Sequence, residues 1–321
     1  MNANKTAKKK FMSREKKHNL FFGCLIGPLL LQFFIFYVSV ALKSFSMAFL
    51  SYEPLGEGQV GYKTLFAGLD NFKKVFAYLG TDENWKMLTN SLLVYALKLI
   101  IVMCGSIFFS YYIYKRFALS GVFRVILFLP NIISGMVLVL LFRYLADDGI
   151  KALFHLKQGL ISDPQTRLGT VIFYSVWVGF GLQTLMFSTS MSGINDSVVE
   201  SAQLDGVNTL QELIYITIPM IFPTIITFIV VGLAGCFTDQ LSLFTFYGRN
   251  VPYEMRTTGY FLYIEALYSD LMPERPWSEL VPTGHLNYPE ITAFGMMISL
   301  LMVPTTFIIR RTLEKHGPRV D

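Results

Sequence analysis

The sequence predicts an all-α polytopic membrane protein with six transmembrane helices, and two observations carry that prediction. The first is composition: of 321 residues, 53% are hydrophobic and only 15% charged, against about 25% charged in soluble domains, and the mean hydropathy is +0.48. The second is distribution. The apolar residues gather in six runs, at 20–42, 90–113, 121–143, 168–190, 214–238 and 289–309. Each supplies the roughly 20 helical residues that cross about 30 Å of hydrocarbon.

Basic residues orient these spans. Lys5, Lys8, Lys9, Lys10, Arg14, Lys16 and Lys17 precede the first run, Lys115, Arg116 and Arg124 lie around the start of the third, and Arg310, Arg311, Lys315 and Arg319 follow the sixth. Lysine and arginine are retained on the cytoplasmic side of a bilayer. Residues 1–19 therefore read as a cytoplasmic N-terminal segment and 20–321 as one transmembrane domain. Both termini face inward, and 43–87, 144–167 and 239–288 face outward. The outer intervals also carry Lys73, Lys74, Lys151 and Arg249, so the alternation rests as much on the even number of spans as on charge. The first apolar run exceeds the roughly 7–15 residues of a signal-peptide core and no small-residue cleavage site follows it. It reads as an uncleaved anchor.

Several chemistries are excluded. The net charge of +5 is spread between the spans rather than gathered in one patch, which fits topology signals and not nucleic acid. Cys24, Cys104 and Cys236 lie within apolar runs at no pairing or metal spacing, and His18, His155, His285 and His316 are scattered. A phosphate-binding loop needs a Gly-Lys pair, and the sequence contains none. No catalytic residue, metal site or cofactor is expected.

The connection 191–213 is different. Its place in the alternation is cytoplasmic, yet it has no lysine or arginine and carries Asp196, Glu200, Asp205 and Glu212. Such a loop contributes nothing as a topology signal, so a protein partner is the simplest demand that shaped it. Asn195 or Asp196 can cap a short amphipathic helix, Val198, Val199, Ala202 and Leu204 supply its apolar contacts, Gly206 can end it, and Pro219 starts the next rigid element. By pattern alone an ordinary capped surface helix fits equally well.

Glu200-Ser201-Ala202-Gln203-Leu204-Asp205-Gly206, followed by Ile216-Thr217-Ile218-Pro219, strongly resembles the EAA motif of binding-protein-dependent ABC permeases. Ser201 replaces the more usual alanine and keeps the side chain small. Ser44-Phe45-Ser46, Gly68-Leu69-Asp70-Asn71-Phe72, Asn90-Ser91-Leu92 and Phe128-Leu129-Pro130-Asn131-Ile132-Ile133-Ser134 are similar to the maltose-type, sugar-importing branch and cover nearly the whole chain in order. The resemblance implies a cytoplasmic coupling helix that sits in a cleft of a separate ATPase, with Glu200 and Gly206 as the positions carried over and Ser201, Ala202 and Asp205 beside them. It implies a bacterial cytoplasmic-membrane subunit forming half of a translocation path for a sugar or oligosaccharide. The partners implied are a second homologous permease, an ATPase dimer that binds the ATP, an extracellular substrate-binding protein and the lipid bilayer. One stretch departs from the branch. Tyr247-Gly248-Arg249-Asn250-Val251-Pro252 stands before Thr257-Thr258 where a Gly-Gly-Pro turn is usual, and Ser269 to His285 is longer than the branch requires.

Substrate sites in transporters lie near the midplane at helices interrupted by proline or glycine, which points to Pro130 and to Gly179 with Gly181. Sugars take aromatic faces and hydrogen-bonding side chains, and Asn131, Ser134, Tyr174, Ser175, Trp177, Gln183, Thr238 and Asp239 can supply these. The family resemblance places Asn131, Ser175, Gly179 and neighbours of Cys236 along the pocket; helix–helix packing is the competing use of every one. Lys98 stands about eight residues, or about 12 Å, into the second run, and is read as snorkelling to the outer interface rather than as functional. Two other classes remain: a membrane scaffold whose acidic loop recruits a cytoplasmic protein, and a membrane enzyme, for which convergent acid–base residues are missing.

Overall fold

The computed structural model describes residues 14–54, 62–269 and 286–318. The basic cluster at 5–10, Arg319 and nearly all of the 269–285 stretch lie outside the described residues. Helix α1 (Arg14–Phe33) runs through one π-helical turn into α2 (Ser39–Met47). Together they form the first span, whose apolar side chains, Leu29 and Phe36 among them, are exposed along its length.

A small cap follows the first span. Strands β1 (Leu50–Pro54) and β2 (Tyr62–Phe66) pair antiparallel with Leu50 opposite Phe66, and α3 (Asp70–Leu79) packs beside them. The Gly-Leu-Asp-Asn-Phe run has a physical reason here. Gly68 takes φ +56°, which turns the chain from β2 into α3. Asn71 is buried and donates from Nδ2 to the carbonyls of Ala48 at 2.9 Å and Leu50 at 2.8 Å, while Phe72 lies 5.3 Å from Phe49.

Helix α4 (Asp82–Tyr114) is a single 33-residue element. It packs along α8 (Arg167–Met191) through small residues: a Cβ on Gly105 would lie 2.5 Å from the Phe180 ring, and one on Gly179 3.2 Å from Val102. Close approach at small side chains is how helices associate in lipid, where no hydrophobic drive separates them from solvent.

The third and fifth runs do not form straight spans. The third is α5 (Ser120–Ile132) and α6 (Gly135–Tyr144), joined at a 106° bend and continued through a π turn to α7 (Ile150–Phe154). Pro130 stays inside α5; the chain turns at Ile133, whose backbone is extended. The fifth run is α10 (Thr209–Glu212), a π turn and α11 (Ile218–Met220), bent by 67° at Ile221 against α12 (Phe222–Gly235). Among the described residues, four helices are long and apolar enough to span a membrane alone, and six spans result when each bent pair counts as one. After α12 come α13 (Leu243–Tyr247), α14 (Thr258–Ser269) and the sixth span, α15 (Tyr288–His316), started by a capping box of Asn287 and Glu290.

Asn71→Ala is expected to leave two buried carbonyls without their donor and to cost about 1–3 kcal/mol. It should be read as a lower Tm of the detergent-solubilised chain; an unchanged Tm would show that the cap is held by its apolar contacts alone.

Candidate functional site

The connection after α8 folds as a self-contained unit. Asn195 is the cap of α9 (Asp196–Leu204), its side chain accepting from Ser197 N at 3.1 Å. The helix ends in a paired motif, Val207 N donating to Ala202 O and Gly206 N to Gln203 O, both at 3.1 Å, with Gly206 at φ +78°. That geometry satisfies the last carbonyls and uses a residue without a Cβ penalty. Asn208 then caps α10 in a capping box with Gln211.

Of the apolar residues expected to fix α9, only Val199 is buried, in a cluster with Ile107 and Tyr111 of α4, Phe187 and Met191 of α8, and Ile221 and Ile225. Ala202 is half-buried. Val198 is exposed, and Leu204 is 89% exposed. Glu200, Ser201, Asp205 and Gly206 are likewise exposed, so α9 is seated chiefly by Val199, with Ala202 half-buried beside it, and presents its acidic face.

Glu212 stands apart from the exposed acids of this loop. It is buried and meets the Lys115 ammonium at 2.5 Å from Oε1 and 2.7 Å from Oε2. The end of α4 and the start of the fifth run are thereby joined at the same end of the molecule.

Lys98 requires a correction. The helix begins at Asp82, not near residue 90, so Lys98 stands sixteen residues from each end of α4, about 24 Å of helix in either direction. The apolar part of the helix is shorter than the helix itself, and what sets aside the reading of a lysine reaching freely to the interface is its partner. Lys98 Nζ lies 2.7 Å from Asp239 Oδ2. Asp239 belongs to the turn at which the fifth span stops, four residues past the end of α12. Its Oδ1 accepts from Leu241 N at 2.8 Å, and its carbonyl accepts from Thr257 Oγ1 at 3.0 Å.

The returning segment is fastened to α4 further out. Asn90 Nδ2 donates to Glu254 O at 2.9 Å and Arg256 O at 3.1 Å, and Ser91 Oγ meets Thr258 N at 2.9 Å and Thr258 Oγ1 at 3.1 Å. The Asn-Ser-Leu and Thr-Thr pairs thus meet across more than 160 residues of sequence. Arg167 also pairs with Glu254.

The remaining candidates divide. Tyr174 is buried in the core, 5.0 Å from Phe142 and 5.1 Å from Phe246, with Trp177 packed half-buried against the same cluster. Tyr174 is therefore part of the packed interior and not of an open wall. Gly179 faces Val102 in the α4–α8 contact, and Ser175 and Gln183 lie one turn to either side on the same helix face. Gln183 Oε1 is buried and lacks a hydrogen-bond partner among the described residues. Asn131 is exposed at the end of α5, with Nδ2 3.3 Å from Val178 O and against Gly181, where a Cβ would lie 2.1 Å away. Ser134 is exposed in the break between α5 and α6; Thr238 is exposed with Oγ1 on Gly235 O at 3.1 Å. The Lys98–Asp239 and Lys115–Glu212 pairs are the features that sequence reasoning missed. Their signal is a lysine and a carboxylate in or beside different apolar runs, which gives no pairing by itself.

Comparison with known proteins accords with this architecture. Over 219 residues the chain is 30% identical to the "Probable ABC transporter permease protein YesP" of Bacillus subtilis (strain 168), covering 65% of this chain and 68% of that protein. It is 25% identical over 242 residues to the sn-glycerol-3-phosphate transport system permease protein UgpA of Shigella dysenteriae serotype 1 (strain Sd197), covering 73% and 79% respectively. A solved bacterial alginate ABC transporter, in complex with alginate pentasaccharide-bound periplasmic protein, contains a chain of the same fold: TM-score 0.71 at 18% identity, covering 94% of this chain and 96% of that one. Residues 100–320 match the family described as binding-protein-dependent transport system inner membrane component. The match extends over most of the sequence and takes in α9 and both broken spans, and the chain belongs to that family.

Proposed function

We propose that this chain is one permease half of an ATP-driven importer for a sugar, an oligosaccharide or a related phosphorylated ligand, driven through the loop at 191–213. The observation that carries the reading is α9: a capped, sharply terminated helix whose one buried side chain is Val199, with Glu200, Leu204 and Asp205 exposed. A short helix of that build transmits force as a rigid body to the ends of α4, α8 and α12, against which Val199 packs. The ligand class is supported by the relatives, whose names give sn-glycerol-3-phosphate and arabinooligosaccharides as transported species. On this reading a separate ATPase dimer binds the ATP and receives α9, a second permease supplies the other wall, and an extracellular binding protein delivers the ligand to the face of 43–87, 144–167 and 239–288. Asn131, Ser134, Thr238 and Asp239 line the path, and both termini are cytoplasmic. A scaffold that merely recruits a partner is not favoured, since the family is one of transport components.

Gly206→Val places a β-branched side chain at φ +78°, which costs about 1–2 kcal/mol in the left-handed region and should unwind the end of α9. Ligand-stimulated ATPase activity of the assembled transporter should fall severalfold with membrane insertion unchanged. Undiminished stimulation would remove the loop from the coupling role.

Asn131→Leu should weaken uptake several-fold, since a neutral hydrogen bond is worth about 1 kcal/mol, and leave assembly with the ATPase intact. Uptake equal to wild type across a ligand titration would reduce Asn131 to a packing residue.

Orientation is tested by single cysteines at Ser197 and Gln158 in a background lacking Cys24, Cys104 and Cys236. An impermeant thiol reagent added to intact cells should label the cysteine at 158 and spare that at 197; the opposite pattern would invert the topology and sink the importer reading.

A further inference from the structure

Lys98 and Asp239 form an ion pair at mid-helix depth, with their side chains 28% and 43% exposed. A charged pair within an apolar helical run, open on one side, does not face hydrocarbon, which excludes such groups unless they are turned to the bundle interior or a watery cavity. The open side therefore looks toward the partner permease or the path between the two.

The two oxygens of Asp239 do different work. Oδ2 takes the lysine ammonium, whereas Oδ1 caps Leu241 N. The capped turn holds Leu241 at φ +53° and Ser242 at φ +57°, a left-handed conformation that non-glycine residues adopt only under constraint. Behind the turn there is no slack, for a Cβ on Gly259 would lie 2.5 Å from the Thr238 carbonyl. Cys236, one turn back, is 5% exposed.

We propose that Lys98 is a positioning residue: its ammonium fixes the Asp239 carboxylate in one orientation, and through it holds the 236–242 turn against α4 as a rigid part of the path wall. Without Lys98, Asp239 is a carboxylate left unpaired against an apolar helix. Its carboxylate swings toward water, Oδ1 leaves Leu241 N, and the left-handed pair relaxes. Met at 98 fills the stem volume but supplies no charge; Arg supplies the charge and the donors. The role of the turn in transport rests on the path proposed above. The tether itself can be read without any substrate.

Cys236 is the reporter. In a Cys24→Ser, Cys104→Ser background the assembled transporter, in native membranes, is treated with N-ethylmaleimide and the modification of this chain is followed by mass. Lys98→Met is expected to label Cys236 severalfold faster than the parent, the scale set by a part-exposed ion pair, and Lys98→Arg to label at the parental rate. Labelling of Lys98→Met at the parental rate overturns the proposal, and so does Lys98→Arg labelling as fast as Lys98→Met. Should Lys98→Met not accumulate, Asp239→Asn, which keeps the shape and the acceptor for Leu241, takes its place: faster labelling supports the tether and an unchanged rate overturns it. Uptake by Asn131→Leu tests the path alone, so failure of the tether and failure of the path are told apart.

Discussion

The constraint on which the rest of the structure depends is that backbone at membrane depth must be satisfied by the protein itself. Hydrocarbon offers no donor or acceptor, so non-helical chain survives there only where other elements supply hydrogen bonds. The fifth span stops at Gly235, and the chain from 236 to 257 returns with only short helical turns. Asn90 serves the carbonyls of Glu254 and Arg256, Ser91 serves the start of α14, and Asp239 serves Leu241. Arg256 Nε and Tyr260 OH close two more carbonyls, at Val251 and Gly248. Each such group left bare would cost about 1–3 kcal/mol. A helix as long and uninterrupted as α4 is the surface on which this segment can be built.

Seen this way, the short polar words in the sequence are places where helices stop. Gly68 and Asn71 turn the hairpin into α3; Asn90-Ser91 and Thr257-Thr258 are the two halves of one clasp. They were legible as words long before their meeting was. Hydropathy gave the six spans because apolar length is a property of one segment. It could not give the bends, because Ile132 and Ile133 are as apolar inside a break as inside a helix, and Pro130, the obvious breaker, is accommodated within α5. In the fifth run Pro219 and Pro223 flank the kink at Ile221, and there the sequence signal and the bend coincide.

The misreading of Lys98 has a similar origin. Asp82, Glu83 and Asn84 make the first turn of α4 polar, so the apolar run begins later than the helix does. A charge judged near the edge of a run is in fact at the centre of a rod. Pairing with Asp239 could not be inferred from either position, since the contact spans 141 residues of sequence. The same holds for Glu212, which looked like one more acid on an acidic loop until its place beside Lys115 was known. The loop itself was more transparent, because caps are local: Asn195, Gly206 and Asn208 act on neighbours within a few residues.

Those long-range contacts share one element. At one end α4 is joined to the start of the fifth run by Lys115 and Glu212, at its middle to the broken end of the same run by Lys98 and Asp239, and further out to the returning segment by Asn90 and Ser91. Along one face it also lies in small-residue contact with α8, whose last turn carries Met191 into the cluster that seats α9. A helix holding its own backbone bonds over 33 residues transmits displacement along its axis with little compression, because stretching it breaks several bonds at once. Moving α9 relative to the 236–257 segment therefore has two routes. Either α4 moves as a unit and carries the segment with it, or the Lys98–Asp239 pair and the bonds of Asn90 and Ser91 are broken together. The second breaks several contacts at once, so α4 and the 236–257 segment move together, and α4 joins that segment to the exposed loop at its other end.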